Sequence, residues 1–528
     1  MALTALRQGV LPRISIPAAL AGAAGIAVAL PLIGVVFAAL GSETADIAGR
    51  DVVRYAATSA WLALLVGIAT AVTGTVAAWL VVMHRFPGRD LFAWALALPL
   101  AVPAFALAYG YADLLDVAGP LRSWMRADLG FDLPFGIRTS GGAAFVLSCA
   151  FYPYVYLAMR AAFVNQSVNI LEAARMLGCS GSQALWRVAL PMARPALAAG
   201  VALAVMETLA DYGAVQFLSV QTLTTGVVRA WSVYGSTVSA ARFALPLLAA
   251  AALLLWIERQ GRRGSTHESG RGRWRDMPVR PLAGPSAWAA TGYCAVLLLA
   301  GLVLPVGWLA WNVAGVTPDW PRLTRAAGHS LSLGIAGAIV TVTLATMLAL
   351  GTRRLPLAGR LASLGYATPG AVMAIGLLAP AGVIWGLVPG SGMAVGIVLL
   401  VYAYAARLMA AALEPIDAGL TRVTPSMIQA ARTLGRSESG AAFAVELPVA
   451  RGAMLTAALI VFIDVLKELP ATLILRPFDF DTLAVIASNY ALDERLGQAG
   501  LPSILIVALS LPAVAWLTRR IARARPGT

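Results

Sequence analysis

Glu172-Ala173-Ala174-Arg175-Met176-Leu177-Gly178, followed by Leu190-Pro191, is one of two closely similar stretches in this chain. The second reads Gln429-Ala430-Ala431-Arg432-Thr433-Leu434-Gly435, followed by Leu447-Pro448, and lies 257 residues downstream without a gap. The same offset sets Glu207 against Asp464, Asp211 against Glu468 and Thr225 against Thr482, so the repeat extends well past the motif. Further upstream the offset drifts to 266 residues, which matches Pro103 with Pro369 and implies small insertions in loops of the first half. Two similarly oriented units related by a pseudo-twofold axis are therefore expected.

Locally each copy reads as a short helix, a turn and a second helix. Gly178 suits the left-handed conformation that ends a helix. Ser180 and Gln183 have the spacing of a capping box, and Ser437 stands at the matching cap position in the second copy. Adjacent alanines at an exposed helix end leave room for another chain to approach closely, which suits a docking element. The plainer reading is an ordinary amphipathic loop, and two copies at identical spacing argue against it.

The surroundings are those of a bilayer protein. Of 528 residues, 59% are hydrophobic and 12% charged, with a mean hydropathy of +0.79, outside the range of a soluble globular domain. Uncharged runs of spanning length cover residues 14–42, 55–84, 91–112, 139–159, 281–318, 326–352, 361–406 and 496–518. The run 361–406 is about twice the roughly 20 residues a helix needs to span, and Pro389-Gly390-Ser391-Gly392 offers a turn inside it, so it reads as a hairpin. Apolar stretches at 195–215, 243–257 and 452–475 bring the expectation to twelve helices. Strand alternation is absent from these runs, which excludes a closed barrel. The fold class is an all-α polytopic membrane protein with about twelve transmembrane helices in two six-helix repeats.

Domain boundaries follow. Residues 1–258 form the first repeat, with its loop at about 164–194, and residues 281–528 the second, with its loop at about 413–451. Residues 259–280 form a basic linker, rich in arginine with Gly, Ser and Pro. With a cytoplasmic N-terminus and alternating crossings, 27 arginines fall on the cytoplasmic side and 11 outside, as the positive-inside rule requires. Topology thus accounts for the net charge of +14 without a nucleic-acid partner. Both termini are expected in the cytoplasm, and the first helix is read as retained rather than cleaved.

Cys149, Cys179 and Cys294 suggest neither a disulfide framework nor a thiolate metal site. His84 reads as part of a charged rim beside Arg85, and His267 and His329 are isolated. The sole lysine, Lys467, sits inside an apolar segment, so the chain has no Gly-x-x-x-x-Gly-Lys-Ser/Thr phosphate loop with which to hydrolyse ATP.

Glu-Ala-Ala, a glycine six residues after the Glu and Leu-Pro ending nineteen after it resembles the signature loop of binding-protein-dependent ABC importer permeases. The resemblance implies the type I importer permease fold and a coupling helix that docks on a separate ATPase. It assigns that role to Glu172, Ala173, Ala174, Gly178, Leu190 and Pro191, and to Gln429, Ala430, Ala431, Gly435, Leu447 and Pro448. Gln429 replaces the Glu, which puts a charge contact in doubt on that side. Leu209-Ala210-Asp211-Tyr212-Gly213-Ala214-Val215 and Asp464-Val465-Leu466-Lys467-Glu468-Leu469-Pro470-Ala471-Thr472 look like fused ferric-iron permeases. Fused permeases for thiamine, phosphonates and other small solutes share this architecture. The resemblance further implies two ATPase copies carrying the ATP and Mg, a solute-binding protein, no cofactor or catalytic residue in this chain, and a place in the bacterial inner membrane among its lipids. The external loops 113–138 and 476–495 are the expected contacts for the binding protein.

Ionisable residues in membrane helices are costly and face a bundle interior or a wet cavity. Glu207, Asp211, Asp464 and Glu468, with Lys467 and Tyr212, are therefore pathway candidates; the alternative is an ion-paired packing device. Each acid pair is four residues apart, which places both members on one helix face. Carboxylates suit a hard, highly charged cation, although no firm metal site is assigned. A secondary transporter driven by an ion gradient would also show repeats and intramembrane acids, but has no use for two identical docking loops. An intramembrane metalloenzyme would need histidine spacing that is absent here.

Overall fold

The computed structural model describes residues 16–42, 49–132, 136–165, 176, 183, 185–263, 279–352, 365, 368–387 and 392–523. The first half comprises α1 (Ile16–Ala39), α2 (Gly49–Met83), α3 (Arg89–Ala95), α4 (Ala104–Leu115), α5 (Pro120–Asp128), α6 (Ser140–Asn165), α7 (Leu190–Ala210), α8 (Gly213–Phe217), α9 (Leu223–Ser232) and α10 (Thr237–Arg263). The second comprises α11 (Pro285–Leu298), α12 (Leu304–Val313), α13 (Trp320–Thr352), α14 (Gly370–Leu387), α15 (Gly392–Leu420), α16 (Pro425–Thr433), α17 (Glu438–Ala441), α18 (Leu447–Lys467), α19 (Pro470–Leu475), α20 (Leu483–Leu492) and α21 (Leu496–Arg523). Among the described residues ten helices are long and apolar enough to cross a membrane, and an eleventh span is formed if one bent pair is counted together. α14, an apolar helix of 18 residues, stands in the second half where the bent pair stands in the first.

Proline decides where these helices break. The run 91–112, expected as one helix, is interrupted by a tight turn at Leu98–Ala101 and bends by 92° between residues 101 and 104. Pro99 and Pro103 remove backbone donors at that point. Pro103 also starts α4, its carbonyl accepting from the Ala106 and Leu107 amides at 3.0 and 3.2 Å; the Pro369 carbonyl accepts from Val372 and Met373 at 3.0 and 3.2 Å. The sequence match at 266 residues is thus a structural one. Three widened π-helical turns, Leu185–Ala189, Leu299–Val303 and Ala442–Glu446, each immediately precede a Leu-Pro pair. A proline inside a helix clashes with the carbonyl four residues earlier, and a local π turn relieves that crowding.

Within each half three helices pack on one another: α2, α6 and α7 in the first, and α13, α15 and α18 in the second. The leading span of each half, α1 in the first and α11–α12 in the second, packs against its own last helix and then crosses to the other half. α1 lies on α10 and on α14, while α12 lies on α21 and on α4. Small residues make both crossings close. A Cβ on Gly376 would fall 1.9 Å from the Pro31 carbonyl oxygen, and one on Gly110 2.9 Å from that of Pro305. Close backbone approach of this kind is what drives helix association in lipid, where apolar burial between helices gains little.

Two expectations need correction. α10 continues to Arg263, past the expected start of the linker at 259. At the linker's far end β2 (Arg280–Pro281) pairs in parallel with β1 (His84–Arg85), tying it to the end of α2. The equivalence of Thr225 with Thr482 also shifts. Thr222 is the N-cap of α9 and Thr482 that of α20, and the next amides, Leu223 and Leu483, donate to Ser59 and Ser330 at 2.8 and 2.9 Å. Thr222 therefore matches Thr482, with three extra residues in the second-half loop.

Candidate functional site: a charged cavity between the halves and the docking segments

α7 and α18 run 21 residues each and stop abruptly, with extended backbone at Asp211 and Glu468. The two acids expected to share a helix face with Glu207 and Asp464 therefore lie just beyond their helices. Each caps the short helix that follows. Asp211 Oδ1 accepts from the amides of Ala214 and Val215 at 3.0 and 3.1 Å. Glu468 accepts from Ala471 and Thr472 at 3.0 and 3.1 Å, and its Oε2 lies 2.9 Å from the Thr472 hydroxyl. Carboxylates suit these positions because a helix N-terminus presents unpaired amides and a partial positive charge. The Leu209 carbonyl, near the broken end of α7, accepts from the Thr224 hydroxyl at 2.6 Å.

Both breaks open on one cavity of about 90 Å³ between the halves. Glu207, Asp211, Tyr212, Asp464, Lys467 and Glu468 line it, so all six pathway residues expected from sequence converge there. Lys467 pairs with Asp464 at 3.0 Å and donates to the Leu100 carbonyl of the first half at 3.1 Å. Among the described residues no group of three or more metal-ligating side chains is gathered closely enough to hold an ion.

One lining residue was not anticipated. Arg407, on α15, lies 3.3 Å from Glu468 and 3.9 Å from Glu207. Its place just after the uncharged run 361–406 puts it among the 27 arginines expected on the cytoplasmic side. The signal was the apolar continuation Leu408-Met409-Ala410-Ala411-Ala412-Leu413, which places the arginine inside a span. Gly370 belongs to the same arrangement, since a Cβ there would stand 2.2 Å from Glu468 Oε1.

At the other end of α18 the second copy of the repeated Ala-Ala-Arg motif is well formed. Gly435 has φ +81°; its amide donates to Arg432 and that of Arg436 to Ala431, at 3.0 and 3.1 Å. This pair is a Schellman motif, which needs a residue free to take the left-handed conformation. Ser437 Oγ accepts from the Gly440 amide at 3.1 Å, the cap expected for the following turn. Gln429 and Ala430 are exposed, whereas Ala431 turns inward. Leu447 is half-buried and Pro448 exposed at the start of α18, and Leu190 and Pro191 start α7 half-buried. Glu172, Ala173, Ala174 and Gly178 lie outside the described residues. Trp186 and Phe443, separated by the repeat offset and 67% and 73% exposed, are a matched aromatic pair that the sequence reading passed over.

Comparison with known proteins agrees with this geometry. Residues 63–259 match the family described as binding-protein-dependent transport system inner membrane component. The chain is 24% identical over 448 residues to the Fe(3+)-transport system permease protein FbpB 2 of Haemophilus influenzae, covering 83% of this chain and 84% of that protein. It is also 32% identical over 157 residues to the sulfate transport system permease protein CysT of Escherichia coli, covering 30% of this chain and 55% of that one. The sulfate permease CysW of the same organism is 31% identical over 166 residues, with the same coverage. The fold is that of the type I ABC importer permeases. Residues 63–259 thus resemble the membrane component of binding-protein-dependent transport systems, and most of the chain is similar to one such permease.

Proposed function

We propose that this chain forms the pore through which ferric iron, delivered by a solute-binding protein, is imported at the expense of ATP hydrolysed by a partner. The observation that carries the cargo is the composition of the cavity: four carboxylates face two cations, a formal excess of two negative charges. A site built for sulfate would reverse that balance, since like charges at short range in a low-dielectric passage repel strongly. Similarity over most of both chains to a ferric-iron permease supports the same reading, whereas the sulfate permeases match 30% of this chain.

Two ATPase copies dock on the segments at 164–194 and 413–451, one in each repeat, 1–258 and 281–528, on either side of the 259–280 linker. Both termini and these segments face the cytoplasm, consistent with the bias of arginine to that end. ATP binding draws the two segments together and opens the cavity outward; hydrolysis restores the inward-facing state. For that cycle to be coupled, the ATPase must bind one pore conformation better than the other. The binding protein meets the loops at 113–138 and 476–495. These are braced for contact by Arg138–Asp116 at 2.8 Å, by Arg122–Asp132 at 2.7 Å and by Asp481, which Arg322 and Arg476 both contact.

Uptake of radioactive ferric iron into proteoliposomes holding the chain, its ATPase and its binding protein tests the reading. ATP-dependent entry should occur with the native chain and fall at least tenfold in Glu172→Ala and Gly435→Pro. Coupled hydrolysis with entry of a different solute would retain the importer and overturn the cargo.

A further inference from the structure

The two cations of the cavity both come from the second half, and each reaches a group of the first. Arg407 spans Glu468 of its own half and Glu207 of the other, with a side chain 15% exposed. Lys467 joins Asp464 to the Leu100 carbonyl. At the repeat offset the first half has Ala210 where the second has Lys467, so that position carries no charge to return the contact.

We propose that Arg407 is a removable ionic cross-link between the halves: it occupies the carboxylates while the pathway is shut, and the arriving cation takes them over and releases it. This rests on the ferric-iron reading above. Arginine stays protonated in any protein environment, so Arg407 leaves Glu207 and Glu468 only if another positive charge replaces it; otherwise two confined carboxylates remain uncompensated. A hard trivalent cation supplies that charge to oxygen ligands. An anion does not, and it meets the excess of carboxylates. Glu468 keeps its hold on the Ala471 and Thr472 amides throughout, so its carboxylate stays aimed while its counter-ion changes. The contact to Glu207, the longer of the two and the one that crosses between halves, is the one whose loss lets the halves separate.

The test compares Arg407→Gln, Glu207→Gln and the double variant in the reconstituted system, reading ATP hydrolysis without cargo as well as iron uptake. Each single variant should raise cargo-free hydrolysis about fivefold or more, in the range of ordinary coupling between sites. The double variant should be no worse than the larger single, because both remove one contact. Arg407→Lys, which keeps the charge, should stay nearer the native value. A merely structural role for Arg407 would instead add to the effect of Glu207→Gln. Iron uptake by the native chain, with cargo-free hydrolysis unchanged in both single variants or additive in the double, would overturn the cross-link and leave the cargo reading standing. Coupled uptake of an anion by the native chain would overturn displacement by a cation together with the ferric reading. Should Arg407→Gln fail to insert, Glu207→Gln in the other half carries the same test.

Discussion

The two halves of this pore share a backbone but not a charge pattern. In both, a helix of 21 residues starts at Leu-Pro after a π turn, stops at an acid, and hands that acid to the next short helix as a cap. In the first half the acid is Asp211; in the second it is the longer Glu468, set against a glycine, Gly370. At the 266-residue offset Ala104 stands at the place of Gly370, so the larger acid goes with the smaller neighbour. Arg407 and Lys467 then appear on one side alone. Duplicated structure thus fixes where the chain must break, whereas the charges gathered at the break are set by residues that the duplication does not constrain.

The largest expected effect comes from treating the two acids as equivalent. Asp211→Ala removes a cap, which costs about 0.5–2 kcal/mol. Glu468→Ala removes a cap, a hydroxyl contact and the nearer partner of Arg407 in a side chain that is fully buried. Breaking one side of such a pair costs about 3–5 kcal/mol. Thermal unfolding of the two purified variants in detergent should show the second-half variant far less stable; equal losses would mean that the extra contacts of Glu468 carry no weight.

The next comparison concerns the two places where the halves clasp each other. Gly376→Ala drives a methyl group toward the Pro31 carbonyl, and Gly110→Ala toward that of Pro305, at 1.9 and 2.9 Å before any relaxation. Overpacking typically costs about 1–3 kcal/mol, and the backbone on both sides here limits relief. Gly376→Ala should therefore lower the yield of folded protein more than Gly110→Ala does, measured by size-exclusion chromatography of detergent extracts. Indistinguishable yields would show that the crossing of α1 is as loose as that of α12.

Much of this was legible in the sequence because the bilayer enforces simple rules. Apolar runs had to be helices, and the acids at 207, 211, 464 and 468 had to face something wet. The Leu-Gly turn after Ala430-Ala431 was readable because a left-handed helix end favours glycine. What the sequence hid were features set by neighbours across the bundle. A spacing of four suggested a shared helix face, but Asp211 and Glu468 had already left the helix. Their amide contacts need the following turn in place, which a helical wheel does not represent. Arg407 follows an uncharged run and so looks like a helix-end arginine; its partners lie on other elements, one of them in the other half. The second-half loop insertion was hidden for a related reason. Thr225 happens to fall at the offset of the preceding motif, and it takes the N-caps and the bonds from the Leu223 and Leu483 amides to Ser59 and Ser330 to show that Thr222 is the true match.

That last equivalence yields the smallest predicted effect and the sharpest comparison. In the first half Thr222 and Thr225 form a reciprocal capping box: the Thr225 amide donates to Thr222 Oγ1 at 3.5 Å and the Thr222 amide to Thr225 Oγ1 at 2.9 Å, and the Thr225 hydroxyl also donates to the Thr222 carbonyl at 2.7 Å. Three residues after Thr482 stands Val485, whose amide reaches the Thr482 hydroxyl at 3.4 Å but which has no hydroxyl to return the bond. The second half is thus a natural version of Thr225→Val. Making that substitution in the first half should cost about 0.5–1.5 kcal/mol, the net worth of an internal hydrogen bond. The reverse change, Val485→Thr, puts a hydroxyl at a buried position beside an amide and a carbonyl arranged as in the first half, so its desolvation is offset by the box it completes. Its unfolding free energy should stay within about 0.5 kcal/mol of native, against a loss of about 1–3 kcal/mol for a buried hydroxyl left unsatisfied. A loss of that size would mean that α20 is held in a different pose from α9, and that the pseudo-twofold relation ends before this turn.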